Sequence, residues 1–337
     1  MERKGSVLIV VLWVLAVLSL LTVSLALLTR LNTQMASGRL KRIETREHLE
    51  SAVQFARYLI ESDPHPQSDH PGDPWFGKHD LSEWLPETPI EIDIRDEEGK
   101  INVNLASPEL LKTLFGILIR NGKNLDTDIE ELSASIVRWR GNEASFGTPT
   151  SYPNKKAPFE SLEELLLIER ITARDFETIK PFLTVYSPRG DLSLRVNINT
   201  APDEIIETLL QTVPGDEFSK QALLNALRAA LQDAWQGKQR FFRSEDLTPA
   251  EFLRKLNLST TSQTIALSGQ LTRFLTVNSA YFSVSVRDPS VKNLSAGITA
   301  VIGPSTGRSA AEFQATVQGP AFFRSDALEI LSWRERL

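Results

Sequence analysis

The apolar positions run almost unbroken at the start of the chain and then settle into recognisable periods. From Ser6 to Thr29 no residue is charged, and nearly every position from Val7 to Leu28 is aliphatic. At about 1.5 Å per residue, roughly 22 helical residues span ~33 Å, enough for a bilayer core of about 30 Å. A membrane-spanning helix is predicted. The helical period continues past it, because Leu49, Val53, Ala56 and Ile60 recur four, three and four residues apart, as on one face of an amphipathic helix. One helix of roughly 55 residues therefore leaves the apolar segment and enters a folded domain.

Between Ser62 and Glu87 the prolines Pro64, Pro66, Pro71 and Pro74 exclude helix and central strand, so the stretch reads as a loop. Ile90 to Ile94 alternates apolar and polar, Asp96-Glu97-Glu98-Gly99 supplies a turn, and Lys100 to Leu105 alternates again. Together they predict a β-hairpin. Helical spacing returns at Glu130–Arg140 and Phe218–Trp235. Strand patterns follow at Arg273–Val277, Tyr281–Arg287, Leu294–Ile302 and Glu312–Val317, parted by Asp288-Pro289, Gly303-Pro304 and Gly307.

The chain also repeats itself at an offset of roughly 95 residues. Ile101-Asn102-Val103-Asn104-Leu105-Ala106-Ser107-Pro108-Glu109 answers Val196-Asn197-Ile198-Asn199-Thr200-Ala201-Pro202-Asp203-Glu204. Phe159-Glu160-Ser161 answers Phe242-Arg243-Ser244, and Phe182-Leu183-Thr184-Val185 answers Phe274-Leu275-Thr276-Val277. Two copies of one helical module are implied, over residues 101–187 and 196–279. Pro108 and Pro202 suit a first helical turn, and the acids behind them face the positive end of the helix dipole. The asparagines sit at turn-like junctions, where hydrogen bonding to local backbone is their expected work.

Composition narrows the function classes. With 41% apolar and 24% charged residues the chain is an ordinary globular mixture. Its formal net charge of −6 argues against a nucleic-acid partner, which calls for a basic footprint. There is no cysteine, so no disulfide or thiol chemistry is available. Three of the four histidines, His65, His70 and His79, lie in the proline-rich loop among Asp63, Asp69, Asp73 and Asp80, and the fourth is His48. That loop composition raises a metal site, but zinc wants a fixed scaffold and short paired spacings, so a solvated loop tacked down by Trp75, Phe76 and Trp84 is the expectation. The acidic turn at Asp96–Glu98 raises calcium in the same way, against the expectation of solvated carboxylates. No nucleophile, phosphate-loop or paired-acid constellation stands out, so no enzyme and no cofactor are expected.

The opening Arg3-Lys4-Gly5-Ser6-Val7-Leu8-Ile9-Val10 resembles the leader of type IV pilin-like proteins. An ordinary signal peptide fits less well: the apolar run exceeds its usual core, and Thr29-Arg30-Leu31-Asn32 offers no small-x-small cleavage site. The resemblance implies that a prepilin peptidase cuts between Gly5 and Ser6 and that Ser6 is then N-methylated. Members of that family usually carry glutamate at the fifth mature position, where this chain has Val10. A buried carboxylate is unfavourable without a cation to meet it. The departure therefore resembles the minor pseudopilin K family of type II secretion (general secretion pathway protein K), whose subunit stands at the pseudopilus tip.

The Asn-x-Asn pairs and the closing Leu328–Glu335 stretch carry the same resemblance. It implies an α+β fold in which a long N-terminal transmembrane pilin helix packs on an antiparallel sheet, with a large duplicated all-helical insertion of SAM-like or helix-hairpin-helix-like type. The implied divisions are a leader over 1–5, a transmembrane helix over 6–29, helix continuation, loop and first strands over 30–106, the insertion over 107–272, and closing strands over 273–337. The implied partners are minor pseudopilins of the I and J types. Arg3 and Lys4 predict a cytoplasmic N-terminus, with the remainder of the chain periplasmic and anchored in the inner membrane. A membrane-anchored periplasmic helix-hairpin-helix DNA-binding protein, of the competence kind, is the alternative. It is weakened by turns at Leu114–Leu118, Val213–Glu217 and Leu167–Ile171 that lack the paired glycines of a phosphate grip.

Overall fold

The computed structural model describes residues 4–81, 89–141, 154–186, 193–289, 296–304 and 328–336. Its longest element is α1 (Lys4–Glu61), whose two halves differ in what they touch. From Leu8 to Leu28 the large aliphatic side chains are exposed all round, a surface of the kind a membrane-spanning helix presents. Higher up, Leu49, Ala52, Val53, Ala56 and Ile60 are buried against a sheet. Burial of side chains the size of Leu49, Val53 and Ile60 contributes about 1.5–3 kcal/mol each. The apolar segment and the part buried in the folded domain are therefore one continuous helix.

The sheet has five strands in the order β1 (Gly77–Asp80), β2 (Glu91–Asp96), β7 (Phe282–Asp288), β8 (Ala296–Pro304) and β9 (Leu328–Arg336). Every neighbouring pair is antiparallel. Ile92 and Ile94 of β2, Val284 and Val286 of β7, and Ile298 and Ile302 of β8 turn inward onto α1, the period-two burial of a half-covered sheet. Trp75 closes this core from the loop, its ring 4.8 Å from that of Phe282 in an edge-on contact.

Asp96 at the end of β2 is the register partner of Phe282 at the start of β7. Everything between them is an excursion that leaves and rejoins the sheet at one point, wider than the 107–272 span read from the pattern. Its first part runs β3 (Ile101–Asn102), α2 (Pro108–Arg120), α3 (Ile129–Trp139), a 3-10 turn at Leu162–Leu167, α4 (Ala173–Ile179) and β4 (Leu183–Thr184). Its second runs β5 (Val196–Asn197), α5 (Asp203–Thr212), α6 (Glu217–Trp235), a 3-10 turn at Ser244–Leu247, α7 (Pro249–Lys255), α8 (Ser262–Leu271) and β6 (Leu275–Thr276). In each part the first short strand pairs in parallel with the last. One apolar core, separate from that of the sheet, runs through both parts and includes Leu111, Leu114, Leu209 and Leu227.

Four expectations from the pattern are corrected. The residues after the acidic turn do not fold back on β2: Ile101–Asn102 pairs in parallel with Leu183–Thr184. The alternation there does not mark one wet face, since Ile101, Asn102 and Val103 are all buried and the asparagines point at distant backbone. The proline-rich stretch is not loop throughout, because Gly77–Asp80 adds an edge strand to β2. Gly303, read as a turn residue, lies inside β8, where a Cβ would come within 2.6 Å of the Tyr281 ring. Trp84, Gly307 and the segment Glu312–Val317 lie outside the described residues.

Candidate functional site: anchor helix and acidic seam

Gly5 and Ser6 both fall in the first turns of α1. Val10 follows on the same helix with 61% of its surface exposed, so an apolar side chain stands in the open at the position where a pilin-like subunit would carry its acid. Among the described residues α1 is the one helix long and apolar enough to cross a membrane. The cations around it do not by themselves orient it. Arg3 and Lys4 precede the apolar run, and Arg30, Arg39, Lys41, Arg42 and Arg46 follow it, so cations flank it on both sides.

The asparagines form two matching clamps. Asn104 accepts from the Phe159 N–H at 2.7 Å and donates to the Phe159 carbonyl at 2.9 Å. Asn199 does the same with Phe242 at 2.9 and 3.0 Å. Asn102 and Asn197 each accept the N–H two residues on, at 2.8 and 3.0 Å. These are partly the local bonds foreseen, and partly long-range ties that hold the start of each helical part to its middle.

The second clamp also enters a buried polar seam between sheet and insertion. The Asp96 carboxylate accepts from Ser279 Oγ at 2.6 Å, Thr200 Oγ1 at 2.5 Å, Asn197 Nδ2 at 2.9 Å and the Glu98 N–H at 2.7 Å. Glu98 accepts the Ala280 N–H at 2.8 Å, Asp69 accepts the Ser279 N–H at 2.6 Å, and Glu97 accepts from Thr184 Oγ1 at 2.7 Å while pairing with Lys100. Gly99 permits the approach, since a Cβ there would lie 2.8 Å from Thr200 Oγ1.

Asp96, Glu97 and Glu98 are all buried, so the expectation of a solvated acidic turn is overturned. Their oxygens are turned on donors of the chain, which ties the insertion to β2 and β7. Burial pushes the Asp96 carboxyl above its ordinary range, and the hydrogen bonds from Ser279, Thr200, Glu98 and Asn197 pull it part of the way back. A second tie joins the first helical part to β9, where Arg334 pairs with Glu163 and holds that carboxyl below its ordinary range.

No protein-family model matches the chain. No curated protein matches it either. Among solved structures, a chain of the crystal structure of the GspK-GspI-GspJ complex from the enterotoxigenic Escherichia coli Type 2 Secretion System superposes with a TM-score of 0.57. The match covers 88% of this chain and 99% of that one, at 17% identity. The fold is pseudopilin-like. In that frame α1 and the five-stranded sheet are the pseudopilin-like core, and the excursion from Asp96 to Phe282 is its large helical elaboration.

Proposed function

We propose that this chain is a membrane-anchored minor pseudopilin that caps, and helps to initiate, a type II secretion pseudopilus. The observation that carries the reading is the continuity of α1 from an all-round apolar anchor into the sheet core, with a bulky two-part insertion leaving that sheet at a single point. The apolar half stores the subunit in the inner membrane, N-terminus in the cytoplasm and the rest in the periplasm. On assembly, neighbouring helices take the place of lipid. The insertion then obstructs addition of a further subunit above, and Val10 fits a subunit with no neighbour ahead whose terminal amine would need a carboxylate.

Its partners in this reading are minor pseudopilins of the I and J types, the components with which GspK stands in the complex named above, and the prepilin peptidase. It acts as a structural subunit without enzymatic chemistry, and with no nucleic-acid partner.

Mass spectrometry of the chain recovered from the membranes of its own host tests the assignment at its most specific residues. The mature protein is expected to begin at a methylated Ser6, and Gly5→Asp should leave it beginning at Met1, because the peptidase must fit closely around the scissile bond. A wild-type chain that begins at Met1, or near residue 30, contradicts the reading.

A further inference from the structure

Away from the anchor and the seam, the described residues bring together one mixed set of metal-ligating side chains. Asp63, His65 and Asp73 each offer a ligand atom, and these atoms lie within 4.8 Å of one another. We propose that the three form a site for a divalent transition-metal ion of the zinc type.

The objection raised by the sequence was the lack of a scaffold, and the fold supplies one. Asp63 and Asp73 are buried and His65 is exposed. Asp63 accepts the His65 N–H at 2.8 Å and the Trp75 Nε1–H at 3.3 Å, and Trp75 is itself fully buried in the sheet core. Asp73 accepts the His70 N–H at 2.6 Å. The same loop is tied to the insertion, because His70 stacks on Phe241 at 4.3 Å and Ser68 donates to the Phe242 carbonyl at 2.9 Å. The carboxylates are thus oriented by hydrogen bonds from fixed groups, the outer-shell arrangement that good metal ligands share.

The donor set selects the ion. Two carboxylates and one imidazole suit zinc and its neighbours, whereas calcium wants six to eight oxygens. Three protein ligands leave a position open on the exposed side, where His65 stands. Binding there fastens the loop that joins the end of α1 to the seam. It favours the folded state alone, because Asp73 lies ten positions beyond Asp63 in sequence and the ligand set exists only in this loop conformation.

The test uses the full-length chain without a histidine tag, stripped by a chelator in detergent micelles and dialysed against zinc or calcium. Metal content is then read by mass spectrometry. About one zinc per chain is expected, with a higher melting temperature in zinc than without. His65→Ala should weaken uptake at least about tenfold while leaving the circular dichroism and the metal-free melt unchanged, since His65 is exposed. His79→Ala is the control: its Nε2 is 2.9 Å from the Trp75 carbonyl and it lies outside the cluster, so uptake should persist. The proposal is overturned if the wild type takes up no more zinc than His65→Ala, if His65→Ala and His79→Ala lose it equally, or if calcium is bound in preference.

Discussion

Cutting the insertion out at the seam is expected to give a subunit that still folds and still anchors, yet no longer limits its filament. Asp96 and Phe282 face each other across β2 and β7, and paired antiparallel residues stand only about 5 Å apart. Replacing residues 98–280 by a two-residue hairpin turn therefore joins two strand ends that are already neighbours. The sheet core, with Leu49, Val53, Ala56 and Ile60 of α1, is an apolar cluster distinct from that of the insertion, and of its described members the excision removes Ala280 and the partly buried Tyr186. In cells lacking the native chain, the shortened subunit should co-purify with its minor partners, while filaments change in number or length and secretion falls severely. If the shortened subunit restores normal secretion, obstruction by the insertion is not its role.

Asp96→Ala should be the most damaging single change at the seam. It takes the carboxylate acceptor from the Ser279 and Thr200 hydroxyls and the Glu98 N–H, while Asn197 Nδ2 keeps the Asp69 carbonyl and Ser279 Oγ, and each buried donor left unpaired costs about 1–3 kcal/mol. A loss of more than ~3 kcal/mol is expected in denaturant melts of the full chain in micelles. A loss below about 1 kcal/mol would mean that the seam is not what holds the insertion in place. Asp96→Asn carries the pH signature. Burial raises the folded-state value above the ordinary 3.8, so at a pH between the two values the folded protein binds a proton more readily than the unfolded chain. The Asp96 contribution is therefore fully present below that ordinary value and falls as pH rises towards the raised folded one. Asn has no such dependence, and wild type minus Asp96→Asn should shrink as pH rises from about 4.

Those two tests fall on features of very different legibility. The anchor and the docking face of α1 were readable because both are local: an uncharged run, and an apolar period carried by Leu49, Val53, Ala56 and Ile60. The strands β7 and β8 announced themselves through alternation, and the two helical parts through the repeated Asn-x-Asn, whose members occupy equivalent clamps; Leu328–Glu335, which forms most of β9, stood out only through the family resemblance. The seam was not readable. Asp96, Glu97 and Glu98 look like any solvated turn until Asn197, Thr200 and Ser279 arrive from about a hundred or more positions away.

The hairpin error has the same origin. Asn102 and Asn104 mimic the polar face of a strand, but their amides reach the Tyr186 and Phe159 carbonyls. For the metal cluster, composition drew attention to three histidines. Only the loop's turns reveal that His65 stands with Asp63 and Asp73, while His70 stacks on Phe241 and His79 bonds to backbone.

The capping role is tested most directly by locating the chain on isolated filaments. A gold-conjugated antibody raised against α6 (Glu217–Trp235), whose Phe218 and Trp235 are exposed, should label one end of each filament and nowhere else in electron micrographs. Gold distributed along the shaft, or filaments assembled in wild-type cells without any label at either end, would contradict the account.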